Sequence, residues 1–254
     1  QLNHLNCLAQ LSRRSGHLPQ AVEYLKLALE IAEATGTSGT ARILTEHIGN
    51  LSYQLGLWGD AIQYCKKALM MYQGPRTGDN YLSILGTIGL AYSSIGEPEQ
   101  AIPYHEEAIK IAQESDNLLG LGMALDNLGC AYYHLKNCSH ALQYHRQATE
   151  IADSVGNRYL EANSIGNTGN VLMAMGNYRE AVRLYEKTLQ IKREINDRRG
   201  IGNSFHSLAE AYGKVGQVTK ALKCGSEALR IYEELEDPNL DDLLRVLREI
   251  RKSK

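Results

Sequence analysis

The chain has 254 residues, of which 43% are hydrophobic and 22% charged, and its formal net charge is −2 at pH 7. This balance argues against a nucleic-acid-binding protein, which normally carries a basic stripe or a high isoelectric point. Because no run approaches the roughly 18 apolar residues of a membrane span and no signal peptide opens the chain, we expect a cytoplasmic protein without membrane contact.

The cysteines are scattered and include no C-x-x-C pair, so neither a disulfide framework nor a zinc ribbon is indicated and a reducing compartment fits best. Cys130, His134 and Cys138 lie four residues apart, but a predicted turn at Lys136 and Asn137 interrupts their helix. Structural zinc requires fixed short spacings, so we expect no metal and no other cofactor.

Several residue columns recur every 40 residues. Alanine does so six times without slippage, at Ala21, Ala61, Ala101, Ala141, Ala181 and Ala221. A second column of small residues is Ala9, Gly49, Gly89, Gly129, Gly169 and Ala209. Self-similarity with a period of about 20 to 50 residues is typical of solenoids, in which each unit packs against the next.

In chain order the predicted units are 1–40, 41–80, 81–120, 121–160, 161–200 and 201–236. Each unit predicts two helices, here called helix A and helix B. In the fourth unit, Leu125 and Leu128 lie on one face of helix A, and Leu142 and Ile151 lie on one face of helix B.

Two glycine columns have different predicted roles. One column follows helix A, where a residue in the left-handed conformation often ends the helix, and glycine adopts that conformation at the lowest energetic cost. It contains Gly16, Gly56, Gly96, Gly176 and Gly216, with Lys136 as the exception. The other column, which includes Gly129, lies inside helix A. Glycine there costs about 1 kcal/mol, so we expect it to allow a close approach between helices.

Residues 237–254 predict a final capping helix. Leu240, Leu243, Leu247 and Ile250 share one helical face, with acidic residues before them and basic residues after them, the order that the helix dipole favours. Such a helix would cover the apolar end of the stack.

The pattern L-x-x-L-G-x-A-Y-x-x-x-G followed by A-x-x-Y-x-x-x-A resembles the tetratricopeptide repeat, and the resemblance covers all six units. The usual unit of that family has about 34 residues. The longer unit here is similar to the variant found in Pins/LGN adaptors, kinesin light chains and STAND-type sensors. The chain departs from the family at the aromatic that opens helix A, which only Phe205 matches.

The resemblance implies an all-α protein: a right-handed superhelical solenoid of six antiparallel helix pairs plus the C-terminal capping helix. It also implies a concave groove, lined by the A helices, that holds an extended peptide or a partner's helix. The lysines and arginines of the chaperone-tail clamp are not reproduced at these offsets, so a chaperone tail is disfavoured as the ligand.

The family's inward-facing offsets indicate the candidate peptide-binding residues of this chain. They are Asn50, Asn127, Asn163, Asn167, Asn170, Asn203, His206, Tyr53, Tyr133 and Arg13. A primary amide donates and accepts, so a ladder of asparagines suits recognition of a peptide backbone. The alternative is that these amides bond to neighbouring helices, because asparagine disfavours helix interiors unless it is engaged. Arg13 either anchors an acidic partner or is simply solvated.

Two functions follow from the resemblance. The first is a non-catalytic scaffold that binds a protein or peptide partner in the groove. The second is a ligand-sensing module of a larger STAND-type ATPase or transcription regulator. No nucleophile, base and orienting group come together in the sequence, so we expect no enzyme. We further expect a monomer and, because the chain opens in register without methionine, part of a longer multidomain chain.

Overall fold

The computed structural model describes residues 1–72 and 78–252, and within these ranges the chain forms thirteen α-helices and no strand. The all-α prediction is therefore confirmed. The predicted unit 41–80 includes residues 73–77, and the predicted segment 237–254 includes the last two residues; these positions lie outside the described residues.

The helices alternate between the two predicted types. The A helices are α1 (Leu2–Arg14), α3 (Ser38–Gln54), α5 (Asp79–Ser94), α7 (Leu118–His134), α9 (Arg158–Ala174) and α11 (Arg198–Lys214). The B helices are α2 (Leu18–Ala34), α4 (Trp58–Met70), α6 (Pro98–Glu114), α8 (Cys138–Ser154), α10 (Tyr178–Glu194) and α12 (Val218–Leu235), and the last helix is α13 (Leu240–Lys252). None of these helices is both long and apolar enough to cross a membrane.

The chain divides into two compact units, Gln1–Leu135 and Lys136–Lys254. In the first unit each helix from α1 to α7 packs against the next, and α5 also contacts the neighbouring A helices α3 and α7. In the second unit the helices from α8 to α13 likewise pack in sequence, and α13 contacts both α11 and α12. In the first unit, side chains on the neighbouring A helices α3, α5 and α7 therefore come close enough to form one surface.

The turn after each A helix has the predicted left-handed residue. Gly56 has φ 74°, its N–H donates to the Tyr53 carbonyl, and the next N–H, of Leu57, donates to the Ser52 carbonyl at 2.9 Å. This pair of bonds is a Schellman ending, which satisfies carbonyls that the helix leaves open. Lys136 adopts the same conformation with φ 61°.

The glycines inside the A helices pack closely against side chains from the B helix of the same repeat. A Cβ on Gly49 would lie 2.5 Å from Cys65 Sγ, and one on Gly169 would lie 2.6 Å from Tyr185 Cε1. The close approach predicted for this column is confirmed at these two positions. At these positions the glycine thus sets the spacing within its helix pair.

The last helix, α13, also packs its side chains against glycines of the neighbouring helices. A Cβ on Gly225 of α12 would collide with Leu247 of α13, and one on Gly213 of α11 would lie 2.9 Å from Ile250. Before α13, the buried Asp237 accepts bonds from the backbone and side-chain amides of Asn239. Glycines on two different helices therefore fix where α13 lies.

Candidate functional site

A cavity of about 410 Å³ lies between α5 and α7 in the first unit. Its lining is mainly apolar, with a few polar groups, as in many ligand sites. The apolar lining includes Leu82, Leu90, Ala108, Leu119, Met123 and Ala124. The polar lining includes Ser83, Thr87, Asn117, Asn127 and His105.

Asn127 is the predicted site residue that lines this cavity. Its side chain is half-buried on α7 and makes no hydrogen bond to any described residue. Its Nδ2 lies 3.8 Å from where a Cβ would stand on Gly86 of α5, so the missing side chain of Gly86 leaves the amide open. An amide with free donor and acceptor groups can pair with both polar groups of a peptide unit.

Asn50 extends the polar row to the neighbouring A helix. Its Oδ1 accepts a 2.7 Å hydrogen bond from the Thr87 hydroxyl, which joins α3 to α5. The Thr87 hydroxyl uses one lone pair of the Asn50 carbonyl oxygen, and both Nδ2 hydrogens of Asn50 remain for a ligand. Asn127 on α7 thus lines the cavity, whereas Asn50 on α3 contacts its lining residue Thr87.

His105 of α6 lies at the base of the cavity. It is fully buried, and neither ring nitrogen has a hydrogen-bond partner. Burial lowers the pKa of His105 to about 4, so the ring is neutral at pH 7. A neutral ring with two unsatisfied nitrogens at this position offers a ligand one donor and one acceptor.

The remaining candidates of the first unit lie apart from the cavity lining. Tyr53 is half-buried on α3, and Tyr133, near the end of α7, has its ring 5.8 Å from that of His134. Arg13 is exposed on α1. Its charge acts on His47, whose pKa is lowered by burial and then by Arg13 and Arg42.

In the second unit, Asn163 of α9 belongs to a buried polar network. Its Oδ1 accepts a 2.7 Å hydrogen bond from Lys192 Nζ of α10, which also donates to Asp197 at 2.8 Å and lies over the Tyr159 ring. The Lys192 side chain is only 6% exposed. Because an ammonium group only donates, the Asn163 carbonyl must face inward and its Nδ2 remains available.

Asn170 and Asn203 also accept a hydrogen bond through the carbonyl oxygen, in their case from a tyrosine hydroxyl. Asn170 Oδ1 accepts from the Tyr185 hydroxyl at 2.8 Å, and Asn203 Oδ1 accepts from the Tyr232 hydroxyl at 2.9 Å. His206 also contacts the Tyr232 hydroxyl, at 3.3 Å. Burial lowers the pKa of His206, although Asp242, whose Oδ2 lies 3.6 Å from Nε2, opposes that shift.

The asparagines therefore combine the two roles considered in the sequence analysis: bonding to neighbouring helices and presenting amide groups to a ligand. Asn50, Asn163, Asn170 and Asn203 use their carbonyls to join helices and retain their amide hydrogens, whereas Asn127 retains both groups. Asn167 lies half-buried on α9, between two of these positions in the chain.

Sequence reasoning missed the residues that hold the amides. Thr87, Lys192 and Tyr232 donate from neighbouring helices, and no motif marks them. One signal was present: Asn163 and Asn203 are 40 residues apart, and so are their donors Lys192 and Tyr232. The common offset would have indicated a shared interaction.

Two family models, both described as Tetratricopeptide repeat, match the chain. One matches residues 39–114, 80–154 and 160–249, and the other matches residues 2–35. Among curated proteins, no sequence match was found.

Solved structures share the fold at low sequence identity. The apo form of RapI has a TM-score of 0.72 and 15% identity, with 99% of this chain and 97% of that chain covered. A Rap protein complexed with Competence and Sporulation Factor has a TM-score of 0.70 and 16% identity, with coverage of 98% and 74%. A STAND protein with a tetratricopeptide repeat sensor, from Pyrococcus horikoshii, has a TM-score of 0.71 and 17% identity; the match covers 97% of this chain and 38% of that one.

Proposed function

Because the chain belongs to the tetratricopeptide repeat family, we propose that it is a non-catalytic scaffold that binds an extended peptide segment of a partner protein. The observation that carries this proposal is Asn127, a half-buried amide that has no hydrogen-bond partner among the described residues and lines a cavity of about 410 Å³. A polar group in such a place is normally hydrogen-bonded, so a ligand that supplies the bond gains affinity there.

The cavity and the amide have complementary roles in this proposal. Apolar side chains such as Leu82, Leu90 and Met123 take an apolar side chain of the peptide, while Asn127 pairs with its backbone. Asn50 donates to the neighbouring peptide unit through its remaining Nδ2 group. In the second unit, the free amide hydrogens of Asn163, Asn170 and Asn203 provide donors of the same kind.

The similar Rap structure supports this proposal through its fold, because that protein is complexed with Competence and Sporulation Factor. Rigid helices that already present their amides also lower the entropic cost of holding a flexible segment.

Peptides selected from a random phage-displayed library on the wild-type protein provide the test. Titration calorimetry then compares the wild type with Asn127→Ala and with Asn80→Ala, an exposed asparagine near the start of α5 that serves as the matched control. We expect Asn127→Ala to weaken binding about tenfold, the value of one or two hydrogen bonds, and Asn80→Ala to leave it unchanged.

Peptides methylated at single backbone nitrogens extend the test. Methylation at the unit paired with Asn127 should weaken binding to the wild type but add little in Asn127→Ala, since the bond is already lost. If Asn127→Ala binds as tightly as the wild type, or if no peptide is selected, the proposal is wrong.

The likeness to the STAND sensor favours a second candidate, a ligand-sensing module of a larger protein. A sensor of this kind would bind a small ligand rather than a peptide, and binding to the folded state alone raises the unfolding temperature. A metabolite library in thermal-shift measurements distinguishes the two, because a small-molecule hit lost in Asn127→Ala, without any peptide hit, favours the sensor.

A further inference from the structure

A second groove, of about 570 Å³, lies in the unit Lys136–Lys254, where α10, α11 and α12 meet. None of the predicted site residues lines it. Its apolar floor includes Ile201, Phe205, Tyr212 and Ile231. Charged residues surround that floor: Arg193, Arg198, Lys220, Lys223, Glu227 and Arg230.

Three of the five cations have no carboxylate within ion-pair distance among the described residues. Arg193 and Lys220 instead lie over aromatic rings of the floor, with Arg193 Cζ 5.3 Å from the Phe205 centroid and Lys220 Nζ 5.2 Å from the Tyr212 centroid. Lys223 is exposed on α12. A cation over an aromatic ring keeps most of its charge available to a ligand.

The carboxylates close to the groove are already engaged. Glu227 pairs with Arg230 at 3.0 Å, Glu234 pairs with Arg198, and Glu186 accepts the Tyr212 hydroxyl hydrogen. Of these three carboxylates, only Glu186 has no cation partner among the described residues, so the three unpaired cations outnumber it. This part of the surface is therefore positive although the whole chain has a net charge of −2.

We propose that this groove docks an acidic amphipathic segment of a partner protein. The apolar side of that segment packs on Ile201 and Phe205, and its carboxylates face Arg193, Lys220 and Lys223. An apolar floor with a charged rim is the usual arrangement of a protein interface, and charge complementarity selects the partner and speeds association. A double-stranded nucleic acid would contact the cations through its phosphates and leave the apolar floor unused.

Fluorescence polarisation with a labelled peptide of about five helical turns tests the proposal. The peptide carries glutamate on one helical face and leucine and phenylalanine on the other, and a matched peptide has lysine in place of glutamate. The test variant is Lys220→Glu/Lys223→Glu, whose new carboxylates lie near the N-terminus of α12, where the helix dipole favours them. The control is Arg146→Glu/Arg179→Glu, which changes net charge equally at exposed positions outside the groove.

We expect the acidic peptide to bind the wild type saturably. Its affinity should be lower by about tenfold or more in the test variant and should change by about twofold or less in the control. Phe205→Ala should also weaken binding of the acidic peptide. The factor by which it weakens binding should not depend on salt concentration, because the contact with the floor is apolar.

Three outcomes would overturn the proposal. One is no saturable binding or no preference over the lysine peptide, and another is an equal loss in both double variants, which indicates only long-range attraction. The third is that single-stranded RNA or heparin binds more tightly than the peptide and is lost in the test variant, which would assign the groove to polyanions.

Discussion

The imidazole of His105 occupies the space that a side chain on Gly89 would fill: a Cβ built on that glycine would lie 2.5 Å from His105 Nε2. The contact joins α5 to α6 beneath the candidate peptide cavity. The ring is held in place without a hydrogen bond to either nitrogen. The fit of the ring against Gly89, and not a hydrogen bond, therefore holds this histidine in position.

We expect Gly89→Ala to lower the free energy of unfolding by about 1–3 kcal/mol, because the ring must leave its position. In Gly89→Ala/His105→Leu, which copies Ala9 and Leu25 of the first repeat, the loss should be smaller than the sum of the single losses. Urea denaturation of the four proteins measures the coupling. If the loss in the double variant equals the sum of the two single losses, the contact between Gly89 and His105 does not exist.

We expect acid to destabilise the protein through His105. Its folded pKa is about 4 and the ordinary value is 6.5, so below pH 6.5 the unfolded chain binds the proton more strongly. Stability is complete above pH 6.5 and is lost progressively towards pH 4, by about 2 kcal/mol at pH 5.

His105→Leu should remove this part of the pH dependence, because it has no titrating group and leaves no buried nitrogen unsatisfied. Denaturation at pH 7.5 and pH 5 measures it, and His206 and His47, whose pKa values are also lowered, contribute equally to both proteins. Equal losses in the wild type and His105→Leu would show that His105 does not titrate in this range.

We expect Lys136→Gly to stabilise the protein by about 1 kcal/mol. Lys136 has φ 61°, a conformation that costs an ordinary side chain about 1–2 kcal/mol and glycine nothing. Gly176→Lys is the matched reverse, since that glycine has φ 81° and open space around it, and it should cost a similar amount. Thermal unfolding measures both, and shifts of the same sign would contradict the prediction.

We expect Lys192→Met to lower stability by about 2 kcal/mol, since it removes two charge-assisted hydrogen bonds, to Asn163 and Asp197. Burial raises the pKa of Asp197, but the bonds from Lys192 and the Gly200 backbone outweigh it, so the net pKa is lowered. Lys214→Met, at an exposed position on α11, is the control and should change stability by less than about 0.5 kcal/mol. Equal effects in urea would contradict a structural role of Lys192.

The period of 40 residues predicted the helices and the left-handed turns after the A helices, because these features depend on local spacing. A second left-handed column, after the B helices, was missed: it contains Gly36, Asp116, Gly156, Asn196 and Glu236. Four of these five residues are glycine, aspartate or asparagine, the types that adopt positive φ most readily, but the change of residue type from repeat to repeat hid the column in the sequence.

The candidate site could be predicted only in part. The spacing placed Asn50 and Asn127 on A helices, but their different states depend on neighbours, namely the Thr87 hydroxyl for Asn50 and the missing side chain at Gly86 for Asn127. The basic groove was not predicted at all, because Arg193 and Lys220 come together only when α10 and α12 pack around α11. Such features belong to the tertiary structure.

The pairs of small and bulky residues have a consequence for how such an array diversifies. Cys65 opposite Gly49, His105 opposite Gly89 and Tyr185 opposite Gly169 differ in size, and each pair is encoded within a single repeat. A crossover between A and B helices would separate the members of a pair and set the glycine of one repeat opposite a side chain of a different size from another repeat. A crossover between repeats keeps every such pair intact, so whole repeats are the segments that recombination can exchange without disturbing these contacts.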